Sequence, residues 1–171
     1  YSGGTWNNTA PAINIMGTAR RRLAGAGTQT AALAFGGQTP ITTDATEEYS
    51  GGTWTPASIM NTQRLALAGA GTQTAALAFG GQTPATTNAT EEYSGGTWNN
   101  TAPAINIMGT SRAYLAGAGT QAAALAFGGL SPATTGATEE YNSGTWSAAP
   151  ANLSTPRQSL AGAGTQTAAL A

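Results

Sequence analysis

Three adjacent glutamate pairs, Glu47-Glu48, Glu91-Glu92 and Glu139-Glu140, together with one arginine in each of four repeats, carry most of the charge of this chain. Paired carboxylates at a fixed place could line up as a ring of oxygen donors for a hard cation. The arginines match that supply of acids, so a repeated ion pair is the expected arrangement instead. The set is Arg20, Arg64, Arg112 and Arg157 with Glu48, Glu92 and Glu140, the other glutamate of each pair being solvated. On an exposed surface such a pair contributes ~0–1 kcal/mol. Tryptophans at Trp6, Trp54, Trp98 and Trp146 could stack on sugars. Their recurrence at one place per repeat points to packing. Asn7-Asn8-Thr9, Asn88-Ala89-Thr90, Asn99-Asn100-Thr101 and Asn152-Leu153-Ser154 fit the glycosylation acceptor pattern, which a chain this rich in Asn and Thr also produces by chance. The string "GAGTQTAALAFGG" is glycine-rich but lacks the Gly-Lys-Ser/Thr of a phosphate loop.

Other chemistry is excluded by composition. There is no histidine and no cysteine, which removes the commonest general base, thiolate metal sites and disulfides. Ser, Thr and Arg alone do not assemble a nucleophile and its base, so the expectation is no enzyme, no cofactor and no resident metal. Charged residues make up 8%, against roughly 25% in an ordinary soluble domain. All six basic residues are arginines, clustered only at Arg20-Arg21-Arg22. That is no basic stripe for nucleic acid. No apolar run approaches the roughly 18 residues of a membrane helix, so no membrane insertion is expected. The sequence opens at Tyr1 without a methionine and reads as an excerpt or a processed product.

The elements that must position these residues follow from the repeat. Tyr1, Tyr49, Tyr93 and Tyr141 are spaced 48, 44 and 48 residues, each with a tryptophan five positions on, and residues 1–18 and 93–110 are identical. Length variation sits between tryptophan and arginine, where the gaps are 14, 10, 14 and 11, which marks a surface loop. Each unit contains four short extended segments separated by turn signals: "LAGAG", "AALAF", "ATEEYS" and the segment opened by "TW". Nothing sustains a helical apolar period. In "AALAF", Ala31, Leu33 and Phe35 share one face and Ala32 and Ala34 the other. The bulky face of one sheet is expected to fit the small face of the next. The glycines of "LAGAG" are expected where backbones crowd a central axis.

The double glycine, spaced tyrosine and spaced tryptophan resemble the kelch repeat. The residues that carry the resemblance are Phe35-Gly36-Gly37 with Tyr49 and Trp54, Phe79-Gly80-Gly81 with Tyr93 and Trp98, and Phe127-Gly128-Gly129 with Tyr141 and Trp146. The resemblance implies an all-β, kelch-like β-propeller of four-stranded antiparallel blades around a channel, about four units being present. Alanine-rich strands and near-identical copies depart from the usual pattern. Kelch-type propellers include a copper oxidase, but its histidine ligands have no counterpart here. The low-charge Thr/Asn/Gly-rich composition is similar to that of phage and marine microbial surface proteins.

One repeat domain is expected over 1–171, in units 1–48, 49–92, 93–140 and 141–171. The last lacks a connector and would be completed by residues 1–6, by another chain, or by further repeats of a longer array. The expected role is a non-enzymatic component of a virion or cell-surface appendage, extracellular or on the virion. Its propeller loops would meet a protein or glycan on a host or cell surface. The loops 38–44, 82–88 and 130–136, with the tryptophan-to-arginine loops, are the expected contact surface. A self-assembling filament or shell unit is the alternative, with association between copies of the chain. An intracellular kelch adaptor is the weaker one.

Overall fold

A computed structural model of the protein describes residues 15–100 and 107–171. Those residues are all β, with no helix among them. Three antiparallel four-stranded sheets follow one another along the chain. The first is β1 (Ala24–Gly27), β2 (Ala31–Phe35), β3 (Thr46–Ser50) and β4 (Thr53–Ala57). The second is β5 (Ala68–Gly71), β6 (Ala75–Phe79), β7 (Thr90–Ser94) and β8 (Thr97–Asn99). The third joins β9 (Ala116–Gly119), β10 (Ala123–Phe127), β13 (Thr138–Asn142) and β14 (Thr145–Ala148). A small hairpin, β11 (Leu130–Ser131) with β12 (Ala133–Thr134), sits inside the connection from β10 to β13. The chain closes on a two-stranded pair, β15 (Ala163–Gly164) and β16 (Ala169–Leu170). Each sheet crosses a boundary of the units framed on tyrosine. Tyr1, Trp6 and the glycosylation triplet at Asn7 lie outside the described residues, as does Thr101.

The five-residue spacing of tyrosine and tryptophan is a hairpin rule. Gly51 and Gly52 occupy a two-residue turn with φ of 59° and 88°, the left-handed pair that matches strand twist. The turn sets Tyr49 opposite Trp54, and the same register pairs Tyr93 with Trp98 and Tyr141 with Trp146. Pro56, which cannot donate to a ladder, falls on the outer strand β4 where none is required.

Side-chain alternation nests the sheets. Leu33 and Phe35 of β2 pack in one cluster with Ala76 and Ala78 of β6. Leu77 and Phe79 pack with Ala124 and Ala126 of β10 in the next. Large faces small at each junction. The inner strands lie side by side, β1 against β5 and β5 against β9. A Cβ on Gly69 would stand 2.6 Å from Phe35 Cζ and 2.8 Å from the Gly25 carbonyl oxygen; one on Gly117 would stand 2.6 Å from Phe79 Cζ and 2.7 Å from the Gly69 oxygen. No side chain fits there, which is why a residue that weakens strands recurs in them. The whole is compatible with a propeller-like repeat fold.

Strand direction sorts the connections. The short β1–β2 and β3–β4 turns lie at one end of each sheet, here the turn end. The β2–β3 loop and its counterparts β6–β7 and β10–β13 lie at the other, the loop end, as do the described residues that leave each outer strand and enter each inner one.

Candidate functional site

The arginines and the first glutamate of each pair form one network repeated three times. Arg64 Nη1 donates to the carbonyls of Gly80 (3.0 Å) and Ala89 (2.8 Å), and Nη2 to Glu91 Oε1 (2.8 Å). The other carboxylate oxygen, Glu91 Oε2, accepts the Asn61 backbone N–H at 2.7 Å. Arg20 with Glu47 and Arg112 with Glu139 repeat the pattern, each pair at 2.8 Å with both side chains almost fully buried. Burial lowers the Arg64 and Arg112 pKa from the usual arginine value, while the charge of the paired glutamate works against that. All three guanidinium Nε–H groups remain without a partner, a residual penalty of a buried donor.

The pairing corrects the sequence expectation. The ion pairs use Glu47, Glu91 and Glu139, not Glu48, Glu92 and Glu140. Consecutive residues of a strand point to opposite faces, and only the first glutamate faces the connection that carries the arginine. The second is not left to solvent in the first two sheets. Tyr93 Oη donates to Glu48 at 2.6 Å and Tyr141 Oη to Glu92 at 2.7 Å. Both tyrosines are pushed above their ordinary pKa, by burial first and then by the hydrogen bond and charge of the glutamate. Arg157 is exposed and donates from Nε to the Thr155 carbonyl; the spacing that pairs the other three would place its glutamate past Ala171.

The signature aromatics belong to the same joints. Trp98 Nε1 donates to Thr46 Oγ1 at 2.9 Å, and its ring meets Phe35 edge-on with centroids 4.9 Å apart. Trp146 repeats this on Thr90 (2.9 Å) and Phe79 (5.0 Å). Trp54 stacks on Tyr49 of its own sheet. The double glycines complete the clasp: Gly37, Gly81 and Gly129 donate to the carbonyls of Arg64, Arg112 and Arg157 at 2.7, 2.8 and 2.8 Å. With φ of 64°, Gly80 is left-handed, and a Cβ on it would stand 2.7 Å from the Arg112 carbonyl oxygen. At the turn end, Gln73 and Gln121 each donate from Nε2 at 2.7 Å to the tyrosine carbonyl of the sheet before, Tyr49 and Tyr93. Every group of the repeat signature in the described residues is thus occupied in joining strands or sheets. Among the described residues there is no cluster of three or more side chains that could hold a metal ion.

A different set of residues meets at the loop end of the inner strands. Arg22, Ala66, Tyr114 and Ser159 each stand immediately before a copy of the string L-A-G-A-G, and all four have φ of 55–57°. Their backbones form a ladder: Ala66 N–H donates to the Arg22 carbonyl (2.8 Å), Tyr114 to Ala66 (2.8 Å) and Ser159 to Tyr114 (2.9 Å). They border one cavity of about 390 Å³, with the leucine that follows each of them. The Arg22 guanidinium lies 5.5 Å from the centroid of the Tyr114 ring. Sequence reasoning missed this site, although a signal was present. Each unit contains R-x-x-L-A-G-A-G-T-Q, and the two x positions differ in all four copies while the other eight are constant.

The candidate loops converge on the same end. The bridges Arg21 to Gln38, Leu65 to Gln82 and Ala113 to Leu130 tie the β2–β3 loops to the residues beside the cavity. Exposed isoleucines also gather there: Ile41 in a β2–β3 loop, and Ile15, Ile59 and Ile107 in the connections that lead to the arginines. No family model matches this sequence, and no curated protein matches it significantly.

Proposed function

We propose that this chain is a non-enzymatic binding module, a kelch-like propeller arc of a virion or cell-surface appendage whose loop end meets a protein or glycan on a host or cell surface. It works without cofactor or metal and outside the cell. The observation that carries the reading is where near-identical repeats diverge. The joints between sheets are built from the same residues each time. Variation concentrates in the β2–β3 loops, the connections between sheets and the cavity positions, all at one end. Variable loops on a rigid scaffold are the usual place for recognition, and four isoleucines are exposed at this end. Glycan-array and cell-binding assays on the purified chain test this: binding that is lost in the triple variant Ile41→Ser, Ile59→Ser, Arg22→Gly supports it. Binding that survives these changes, or no binding to any glycan or cell surface, rejects it.

One observation favours a second reading, self-assembly. The third sheet offers Thr138 and Glu140 at the places where Thr46 and Glu48 receive a tryptophan and a tyrosine. Beside Thr138, Leu125 and Phe127 border a cavity of about 170 Å³. The first sheet carries the complementary small face with Tyr49 and Trp54. A filament or shell results when the third sheet of one copy packs against the first sheet of the next.

A further inference from the structure

Four side chains stand where the backbone favours glycine. Among the described residues every positive φ belongs to a glycine except at Ser143 and at the four cavity positions, Arg22, Ala66, Tyr114 and Ser159. An L-residue held in that region is strained. Glycine would relieve the strain without changing the ladder, since the ladder uses only backbone N–H and C=O groups. A chain with 24 glycines nevertheless places an arginine, a tyrosine and a serine there. Ala66 and the Tyr114 ring pack with Leu65 and Ala113, whereas Arg22 and Ser159 are exposed, so it is the Arg22 and Ser159 side chains that the scaffold does not account for.

Their chemistry identifies the use. Arg22 has no carboxylate within ion-pair distance among the described residues, and its guanidinium is held over the Tyr114 ring. Arg22 is exposed, and a planar, permanently charged fork lying over a ring at the cavity edge suits a carboxylate in two-point contact. The hydroxyls of Tyr114 and Ser159 each donate and accept, which suits a partner carrying several hydroxyls. Leu23 and Leu160, both partly exposed, add an apolar part of the wall that suits the C–H face of a ring. The volume falls in the about 300–1,000 Å³ range of small-ligand sites. A neutral sugar would leave the guanidinium uncompensated, and a bare anion would leave the leucines wet. Resting on the attachment reading above, we infer that this cavity binds a carboxylated pyranose, the acidic residue of a surface glycan.

Titration calorimetry with glucuronate, glucose and acetate on the intact chain tests this, beside the variants Arg22→Gly and Ser159→Ala. Glucuronate is expected to bind in the millimolar range or tighter, with glucose and acetate at least tenfold weaker. Arg22→Gly is expected to weaken glucuronate binding at least tenfold while melting at the same or a higher temperature, because glycine accepts the left-handed backbone. Ser159→Ala is expected to give a smaller loss. Equal affinity for glucose or for acetate overturns the inference. So does unchanged binding by Arg22→Gly, or no glucuronate binding in the millimolar range. Glycan-array binding that persists in the single variant Arg22→Gly removes this inference and leaves the attachment reading standing.

Discussion

Arg64 shows what a buried charge does in a chain with so few. Its guanidinium has a carboxylate and two carbonyls, and nothing else nearby could replace it. Removing one partner of such a pair strands the other, a loss of about 3–5 kcal/mol. Arg64→Met is expected to show that loss in urea unfolding, and exposed Arg157→Met less than about 1 kcal/mol. Tyr93 and Tyr141 set a pH limit. Their folded pKa is raised, so their contribution is complete below the unfolded value of about 10 and falls away as pH climbs above it. Unfolding followed from pH 8 to 12 is expected to show stability declining in the upper part of that range. The double variant Tyr93→Phe, Tyr141→Phe should start lower, without that part of the decline. The recurrence of arginine with glutamate was legible in the sequence. The choice of glutamate was not, because residue type does not say which strand face meets the arginine. Nor do the letters Arg, Ala, Tyr and Ser announce a left-handed backbone at 22, 66, 114 and 159.

Strands and turns make the joints specific. Gly117 lies where β9 passes β5, with Phe79 fixed by Trp146 behind it. An added methyl cannot be accommodated by Phe79 or by the Gly69 backbone. Gly117→Ala is expected to cost about 1–3 kcal/mol through overpacking, read as a lower urea midpoint. Gly95→Ala is the contrast: its φ is 58° but nothing lies within 4 Å of the added carbon. It should lose only the roughly 1–2 kcal/mol of a left-handed L-residue. Alternation in "AALAF" and glycine in "LAGAG" were enough to anticipate sheets nesting large on small with crowded inner strands. The pairing of Tyr49 with Trp54 went unread because it depends on a two-residue turn with both φ positive, a property of the pair of glycines rather than of either aromatic.

At the scale of the molecule, three sheets are held by a network repeated at each junction, and the third sheet presents Thr138 and Glu140 at the places that receive a tryptophan and a tyrosine in the other two. The self-assembly reading predicts a mass that rises with concentration in multi-angle light scattering, and a Thr138→Arg variant that stays at the mass of one chain. A constant mass for the unaltered chain rejects it. The repeat made four-stranded units legible from the tyrosine and glycine spacing, but not the end at which the variable positions gather. That required knowing that the β2–β3 loops and the residues before the inner strands lie at the same end. The proposed function rests on this division between a constant scaffold and one variable end. Its most direct test compares glycan-array binding of two folded variants, one carrying Arg22→Gly with Ile41→Ser and the other Gln29→Ser with Thr30→Ser at the turn end. The account predicts that the first loses binding and the second keeps it. Loss in the second with retention in the first would contradict it.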